Sequence, residues 1–533
     1  MLLPTRHIPR MLLFKMRYPP AMTQRFERKE RQILIALACF AFLLRVPLAF
    51  RSIRDLAGYP YADDAFYVFS IARNIAHGLV PSVDGHTLTN GFQPLLVLLY
   101  TPLFWLCGTN AWLAERWTFI LNGAIAGLCV WFVAVLLRAM ERHNGAERTN
   151  APIFGAAIWA FAYSIFIQLT NGLETGLASL FIIVALILYT QIVNRRSSAS
   201  TLNRPAWWHL GAVLGFGVLA RIDTAILVAI IVLLLVIRAE WRGAVVTGAV
   251  AFLISLPWWL FNWIYFGSLM PTSGQAENIW PLPPHENIYR AIQATSDILS
   301  LIIYLPDSLS FAMRTAWFAF LVFAISFLIW KAQLLPTLRK TFHMDTVLPL
   351  FLFFLVLLVF YTFFFRAPHF MERYFQPARI GWSLLMAMAA AVSVKRRFGR
   401  TLITAAAVLC LLLSADRYFP KFFQQNAADF YDVGVWARQH PQEKIGMLQS
   451  GVASFVAPNV INLDGKVNTA ALVAHQQGRL AEYLREQQFT MIADDKPLVE
   501  DLATIARSGE LFFDSVGMID HIQLMKRQMK APQ

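Results

Sequence analysis

Two adjacent carboxylates, Asp63 and Asp64, sit inside the run YPYADDAFYVFSIARNIAHG, in the first loop after the first apolar stretch of the chain. Side chains of this type and spacing can take a proton from a hydroxyl, help hold a hard cation such as Mg²⁺ or Mn²⁺, or cap a helix. Asp63 suits an N-cap, Asp64 the first turn at the positive end of the helix dipole, and Gly78 a closing position, so the sequence predicts a helix over this segment. Phe66, Phe69, Ile71 and Ile75 bias one side of it, and Ser70, Arg73, Asn74 and His77 the other. Such a helix is expected to lie along a membrane surface rather than cross it. Two carboxylates alone do not make a metal site, and capping and chemistry both fit these residues.

The elements that must position this pair are membrane helices. A chain of 533 residues that is 57% hydrophobic, 14% aromatic and only 15% charged cannot hide its apolar surface in one soluble core. Apolar runs predict an α-helical polytopic membrane protein with eleven spans, near 32–51, 111–138, 151–169, 176–194, 207–220, 224–238, 243–263, 311–331, 345–365, 379–394 and 400–416. The net charge of +14 lies in the short segments between these runs and in the N-terminal residues 1–31, as the positive-inside rule expects, so nucleic acid is not implied. That rule puts the N-terminus in the cytoplasm. The stretch 93–108, interrupted by Pro94 and Pro102, is short for a span and would invert every later basic loop if it crossed. It reads as a re-entrant or interfacial helix.

The resulting domain organisation is a basic N-terminus (1–31), a transmembrane domain (32–416) and a small α/β domain outside the membrane (417–533), with strands expected near 444–449 and 460–465 and helical stretches after them. The outer face then carries the loop 52–92, the NGLETGL turn at 171–177, the Arg221-Ile222-Asp223 turn and the loops 264–310 and 366–378. Cys39, Cys107, Cys129 and Cys410 lie in apolar stretches without CxxC spacing, which argues against a zinc site or a disulfide framework.

Several outer-face polar residues are candidates for substrate contact. Arg221 and Asp223 sit between two apolar runs, where each charge would cost about 2.5–3.5 kcal/mol at the bilayer centre. A local Arg–Asp turn is the plainer reading. Glu174, between Gly172 and Gly176, fits either a helix-start carboxylate or a ligand contact. Arg373, in HFMERYFQPAR, fits a phosphate clamp or an interface anchor beside Tyr374. Asp464 and Lys466 in NLDGKVN stand at a strand end where ligands are often bound, although a tight Asp-Gly turn is simpler.

The string Asp63-Asp64-Ala65-Phe66-Tyr67 resembles the D-E-x-x-Y type signature in the first outer loop of GT-C glycosyltransferases, polytopic enzymes that include protein O-mannosyltransferases and aminoarabinose transferases. Asp63 matches the first acid, Asp64 stands where that group often has Glu, and Tyr67 matches the aromatic. The strings TLTNGFQPLLVLLY, NGLETGL, PWWLFNWIYFGSLMPTSGQA and VINLDGKVN resemble a bacterial subgroup of the same enzymes. The resemblance implies a GT-C-like fold in the bacterial plasma (inner) membrane. It also implies an inverting transfer from a polyprenyl-phosphate sugar to a lipid, glycan or protein acceptor on the outer face. On that expectation Asp63 is the base, Asp64 a second catalytic carboxylate and a candidate Mg²⁺ or Mn²⁺ ligand, and Tyr67, Glu174, Arg221, Asp223 and Arg373 contact substrate. The absence of a Gly-rich nucleotide loop in the sequence fits a lipid-linked donor. A transporter or flippase of lipid-linked saccharides is the alternative from another class, and an inactive scaffold a third. The charges gather at span ends on one side, and the sequence has no internal repeat, which favours the enzyme.

Overall fold

The computed structural model describes residues 26–142, 148–194, 207–279, 282–300, 334–365, 371–394 and 428–528, with short pieces between 312 and 323 and between 400 and 412. Most of the expected spans 311–331 and 400–416, and the basic residues before 26, lie outside the described residues. Within them, five helices are long and apolar enough to cross a membrane: Arg28–Phe50, Ala111–Met140, Thr175–Asn194, Trp241–Phe266 and Met344–Phe364. Four apolar helices are shorter: Pro94–Cys107, Ala151–Phe161, Trp207–Ala220 and Thr224–Ile237. A 14-residue helix rises only ~21 Å, against roughly 30 Å of hydrocarbon. The described residues therefore hold a multi-pass membrane protein, with five helices long and apolar enough to cross, whereas the eleven expected spans are a count over the whole chain. The expected span 151–169 is broken in two, Ala151–Phe161 and Tyr163–Gln168, by an extended Ala162.

The helix predicted from the acidic pair runs Asp63–Ala76, and Gly78 closes it with φ +78°. One expectation about it fails. Asp63 is not the N-cap; Ala62 holds that position without a side-chain hydrogen bond, and both acids fall in the first turn. The helix is enclosed by protein. Nine of its 14 residues are buried, Ser70 and Asn74 among them, because Pro94–Cys107 covers one side and a short helix, Gly451–Val456, the other. Asn74 satisfies its amide on the carbonyls of Ser82 and Val83.

Gly451–Val456 belongs to the C-terminal unit, a five-stranded mixed sheet. Its strands are β1 (Ile445–Met447), β2 (Val460–Asn462), β3 (Met491–Asp495), β4 (Phe513–Ile519) and β5 (Ile522–Arg527), in the order β2-β1-β3-β5-β4. β1 pairs parallel with β2 and β3, whereas β5 pairs antiparallel with β3 and β4. One apolar layer, including Leu484, Phe489 and Val499, covers one face, and a second, including Val433, Ala437 and Met447, covers the other. The connections that leave the carboxyl ends of β1 and β2, at 448–451 and 463–468, point at the helical bundle. Asp494 fixes the first of them by accepting from the N–H groups of Leu448 (2.8 Å) and Gln449 (3.0 Å).

Candidate active site

The acidic pair divides at the junction of bundle and sheet. Asp63 turns toward the C-terminal unit, where Oδ2 accepts from the Gly451 N–H (2.9 Å) and Oδ1 from the Val452 N–H (2.8 Å). These are free amides at the start of Gly451–Val456, so Asp63 caps a helix, but one far away in sequence. Gly451 is required there because an added Cβ would lie 2.0 Å from the Asp63 carbonyl oxygen. Burial pushes the Asp63 carboxyl up to about 6 despite the two amides. Tyr67, one helical turn on, fixes the same junction: its hydroxyl accepts from Asn462 Nδ2 (2.9 Å) and the Ser450 N–H (3.2 Å). Further out, Arg54 bonds both oxygens of Asp432, and Arg73 donates to the Phe455 carbonyl.

Asp64 turns the other way, into a cavity of about 460 Å³. Tyr67, Glu174, Arg221, Asp223 and Arg373 line the same cavity, whereas Asp63 does not. Six of the seven residues that the resemblance assigned to the site thus face one space, contributed by four separate segments.

The arginines do more than close local turns. Arg221 Nε donates to Asp223 Oδ2 at 2.8 Å, Nη1 lies 3.6 Å from Glu174 Oε1, and Nη1 also donates to the Arg373 carbonyl at 3.0 Å. Tyr361 donates to the same Asp223 oxygen, and Gln93 accepts from the Ile222 N–H. Arg373 reaches Asp64 Oδ2 at 3.5 Å. Both guanidinium groups lie over the Tyr374 ring, at 5.3 and 5.4 Å, and Tyr374 stacks on Tyr361. Val68, Ile226, Trp259, Met270 and Phe365 give the cavity an apolar wall beside these charges.

Glu277 went unassigned in the sequence, and Lys466 was noted at a strand end with a tight Asp-Gly turn as the simpler reading. Lys466 enters the cavity from the loop after β2, with its ammonium 3.5 Å from Asp64 Oδ1, 3.3 Å from Glu277 Oε1 and 3.7 Å from Asp464 Oδ2. Burial alone would lower its pKa, but the three carboxylates hold it well above the usual lysine range. Its backbone is fixed too. Thr272 Oγ1 donates to the Lys466 carbonyl (2.9 Å), and a Cβ on Gly91 would come within 1.8 Å of that oxygen. Asn90 ties this floor together by bonding the Thr272 N–H and the Asn262 side chain, so the Asn90-Gly91 pair does more than turn the chain. The signal was present, since Glu277 directly follows the noted string PTSGQA and Lys466 lies within NLDGKVN.

With the Lys466 ammonium at the point where they converge, the carboxylates leave no place for a divalent cation. Their oxygens stand 3.3–3.7 Å from a common ammonium, whereas Mg²⁺ requires about 2.0–2.1 Å. No group of three or more potential metal ligands among the described residues has the geometry of a metal site.

No family model matches the sequence, and no curated protein sequence matches it. Solved structures do. The Archaeoglobus fulgidus oligosaccharyltransferase, crystallised with Zn and sulfate, superposes with a TM-score of 0.53 at 14% identity, covering 93% of this chain and 72% of that one. ArnT from Cupriavidus metallidurans, in the apo state, gives a TM-score of 0.51 at 13% identity over 94% of this chain and 99% of its own. The archaeal oligosaccharyltransferase AglB, complexed with an inhibitory peptide and a dolichol-phosphate, gives a TM-score of 0.50 at 14% identity, covering 88% and 69%.

Proposed function

Because this chain has the fold of the GT-C membrane glycosyltransferases, we propose that it transfers a sugar from a polyprenyl-phosphate donor to an acceptor hydroxyl. The reaction inverts the anomeric centre and takes place at the outer face of a bacterial plasma membrane, where the C-terminal unit lies. One observation carries the reading: of the two adjacent aspartates only Asp64 faces the cavity, which also holds Arg221, Arg373 and Lys466 beside an apolar wall. An amphiphile with a phosphate at the root of an isoprenoid tail matches that division, and AglB holds a dolichol-phosphate in its own complex.

The sequence favoured Asp63 as the base; the geometry supports Asp64 instead. Both Asp63 oxygens are occupied by backbone amides, and Asp63 does not reach the cavity. In the proposed step the acceptor oxygen bonds to the anomeric carbon as the bond from that carbon to the phosphate oxygen breaks. The electron pair leaves with the phosphate, and the acceptor proton passes to Asp64. Arg373 and Arg221 stabilise the departing polyprenyl phosphate. Glu174 and Asp223 hold Arg221 in place, and Tyr67 keeps the site closed against the C-terminal unit.

The test is transfer of label from a panel of radiolabelled polyprenyl-phosphate sugars by the purified protein in proteoliposomes supplied with envelope glycans, lipids and proteins. A glycosylated product whose formation requires Arg221 supports the proposal. Label that changes leaflet without forming product would instead make the protein a flippase.

A further inference from the structure

The cavity contains a cation of its own. Lys466 is the point on which carboxylates from three separate segments converge: Asp64 of the Asp63–Ala76 helix, Glu277 after the Thr272–Ala276 helix, and Asp464 of its own loop. Asp64 divides its two oxygens between cations, Oδ1 toward Lys466 and Oδ2 toward Arg373. Three buried or part-buried acids sharing one charge is an expensive arrangement unless the charge is needed there. The lysine is also placed from both ends of its side chain, by carboxylates at the ammonium and by Thr272 and the Gly91 contact at the backbone.

We infer that the Lys466 ammonium takes the place of a divalent cation in this site. It balances Asp64 and its neighbours while the cavity is empty of donor and turns to the donor's phosphate when that enters. The inference rests on the proposed transfer reaction for its second half and on geometry alone for its first. A donor phosphate is the strongest anion the cavity would meet, and it competes with Asp64 for both Lys466 and Arg373. Donor binding therefore releases Asp64 from its two cations at the moment when it must accept the acceptor's proton. As the phosphate departs with the electron pair of the broken glycosidic bond, Lys466 faces the charge that develops. The chain carries this cation covalently, on the C-terminal unit, so the site is complete only when that unit is docked.

The full-length protein in proteoliposomes provides the test, in two arms. Wild-type transfer should survive excess EDTA unchanged, while Lys466→Ala should slow it by about 100-fold or more and Lys466→Arg should retain part of the rate. In thermal unfolding without donor, Mn²⁺ should leave wild type unmoved and should raise the melting temperature of Lys466→Ala, which leaves three carboxylates facing one vacated position. A purely structural lysine would not produce that gain. Loss of wild-type transfer in EDTA with recovery on adding Mn²⁺, full transfer by Lys466→Ala, or equal stabilisation of both proteins by Mn²⁺ would overturn the inference. If wild type transfers from no donor, the proposed reaction fails, and the Mn²⁺ arm, which needs no turnover, still decides whether Lys466 occupies a cation's place.

Discussion

Two ion-pair networks stand at opposite ends of the Ala111–Met140 helix and its neighbours, and they are built differently. At the end near Met140, Arg138 is buried between Glu30 and Glu141, pairs with both, and lies over the Phe26 ring. Glu141 also takes the Thr149 hydroxyl and N–H, and bridges to Phe342. None of these residues lines the 460 Å³ cavity. At the end that meets the C-terminal unit, Arg221, Arg373 and Lys466 pair with Glu174, Asp223, Asp64 and Glu277, and all seven line that cavity. The first network clamps helices. The second keeps its charges at 3.3–3.6 Å for most pairs and leaves room beside them, so an incoming anion can exchange partners with them. Buried charge alone therefore does not distinguish a site from a clasp, whereas charge facing empty volume does.

Substitutions can sharpen this contrast. Asp64→Asn should lower the rate of transfer by about 10²–10⁴-fold, the range for a lost general base, with an unchanged melting temperature. Arg138→Ala should do the reverse. It strands Glu30 and Glu141 without their cation, costing about 3–5 kcal/mol in unfolding experiments, and leaves turnover per folded molecule at the wild-type value. Asp63→Asn belongs between the two. Removing an acceptor from the Gly451 and Val452 amides should cost about 1–3 kcal/mol, read as faster hydrogen exchange over 448–467, with a smaller loss of transfer than in Asp64→Asn. The smallest effect is a pH dependence. Burial pushes Asp494 up to about 7 from an ordinary 3.8, so the folded protein binds a proton there that the unfolded chain releases. Stability is then greatest below about pH 4 and falls as pH rises through 7. Asp63 and Asp464, pushed up to about 6, act in the same direction. Hydrogen exchange of the β1 and β3 amides should report weaker protection at pH 8 than at pH 5, with a flatter profile in Asp494→Asn.

The sequence makes the site legible in its parts and not in its closure. Adjacent acids after an apolar run, and arginines between apolar runs, are local signals, and they led to the residues that line the cavity. Which acid faces it is not local. Consecutive helix residues point about 100° apart, and their surroundings depend on where residues 450–467 come to rest. Lys466 was read as part of an Asp-Gly turn for the same reason: its partners Asp64 and Glu277 lie in distant segments. In the C-terminal unit, β1 and β2 fall on the expected stretches, but β3, β4 and β5 lie where helices were read. β3 is almost wholly buried and β4 is an exposed edge strand with a register shift between Ser515 and Gly517, so neither has a clean alternation. Nor does apolar composition reveal that several helices among the described residues stop after 14 residues or fewer.

The most direct measurement is the initial rate of sugar transfer from a polyprenyl-phosphate donor by proteoliposomes containing wild type, Asp64→Asn or Asp63→Asn at matched folded protein. The account predicts transfer by wild type, near-complete loss in Asp64→Asn and a clearly active Asp63→Asn. Loss confined to Asp63→Asn, with Asp64→Asn transferring at the wild-type rate, would contradict it.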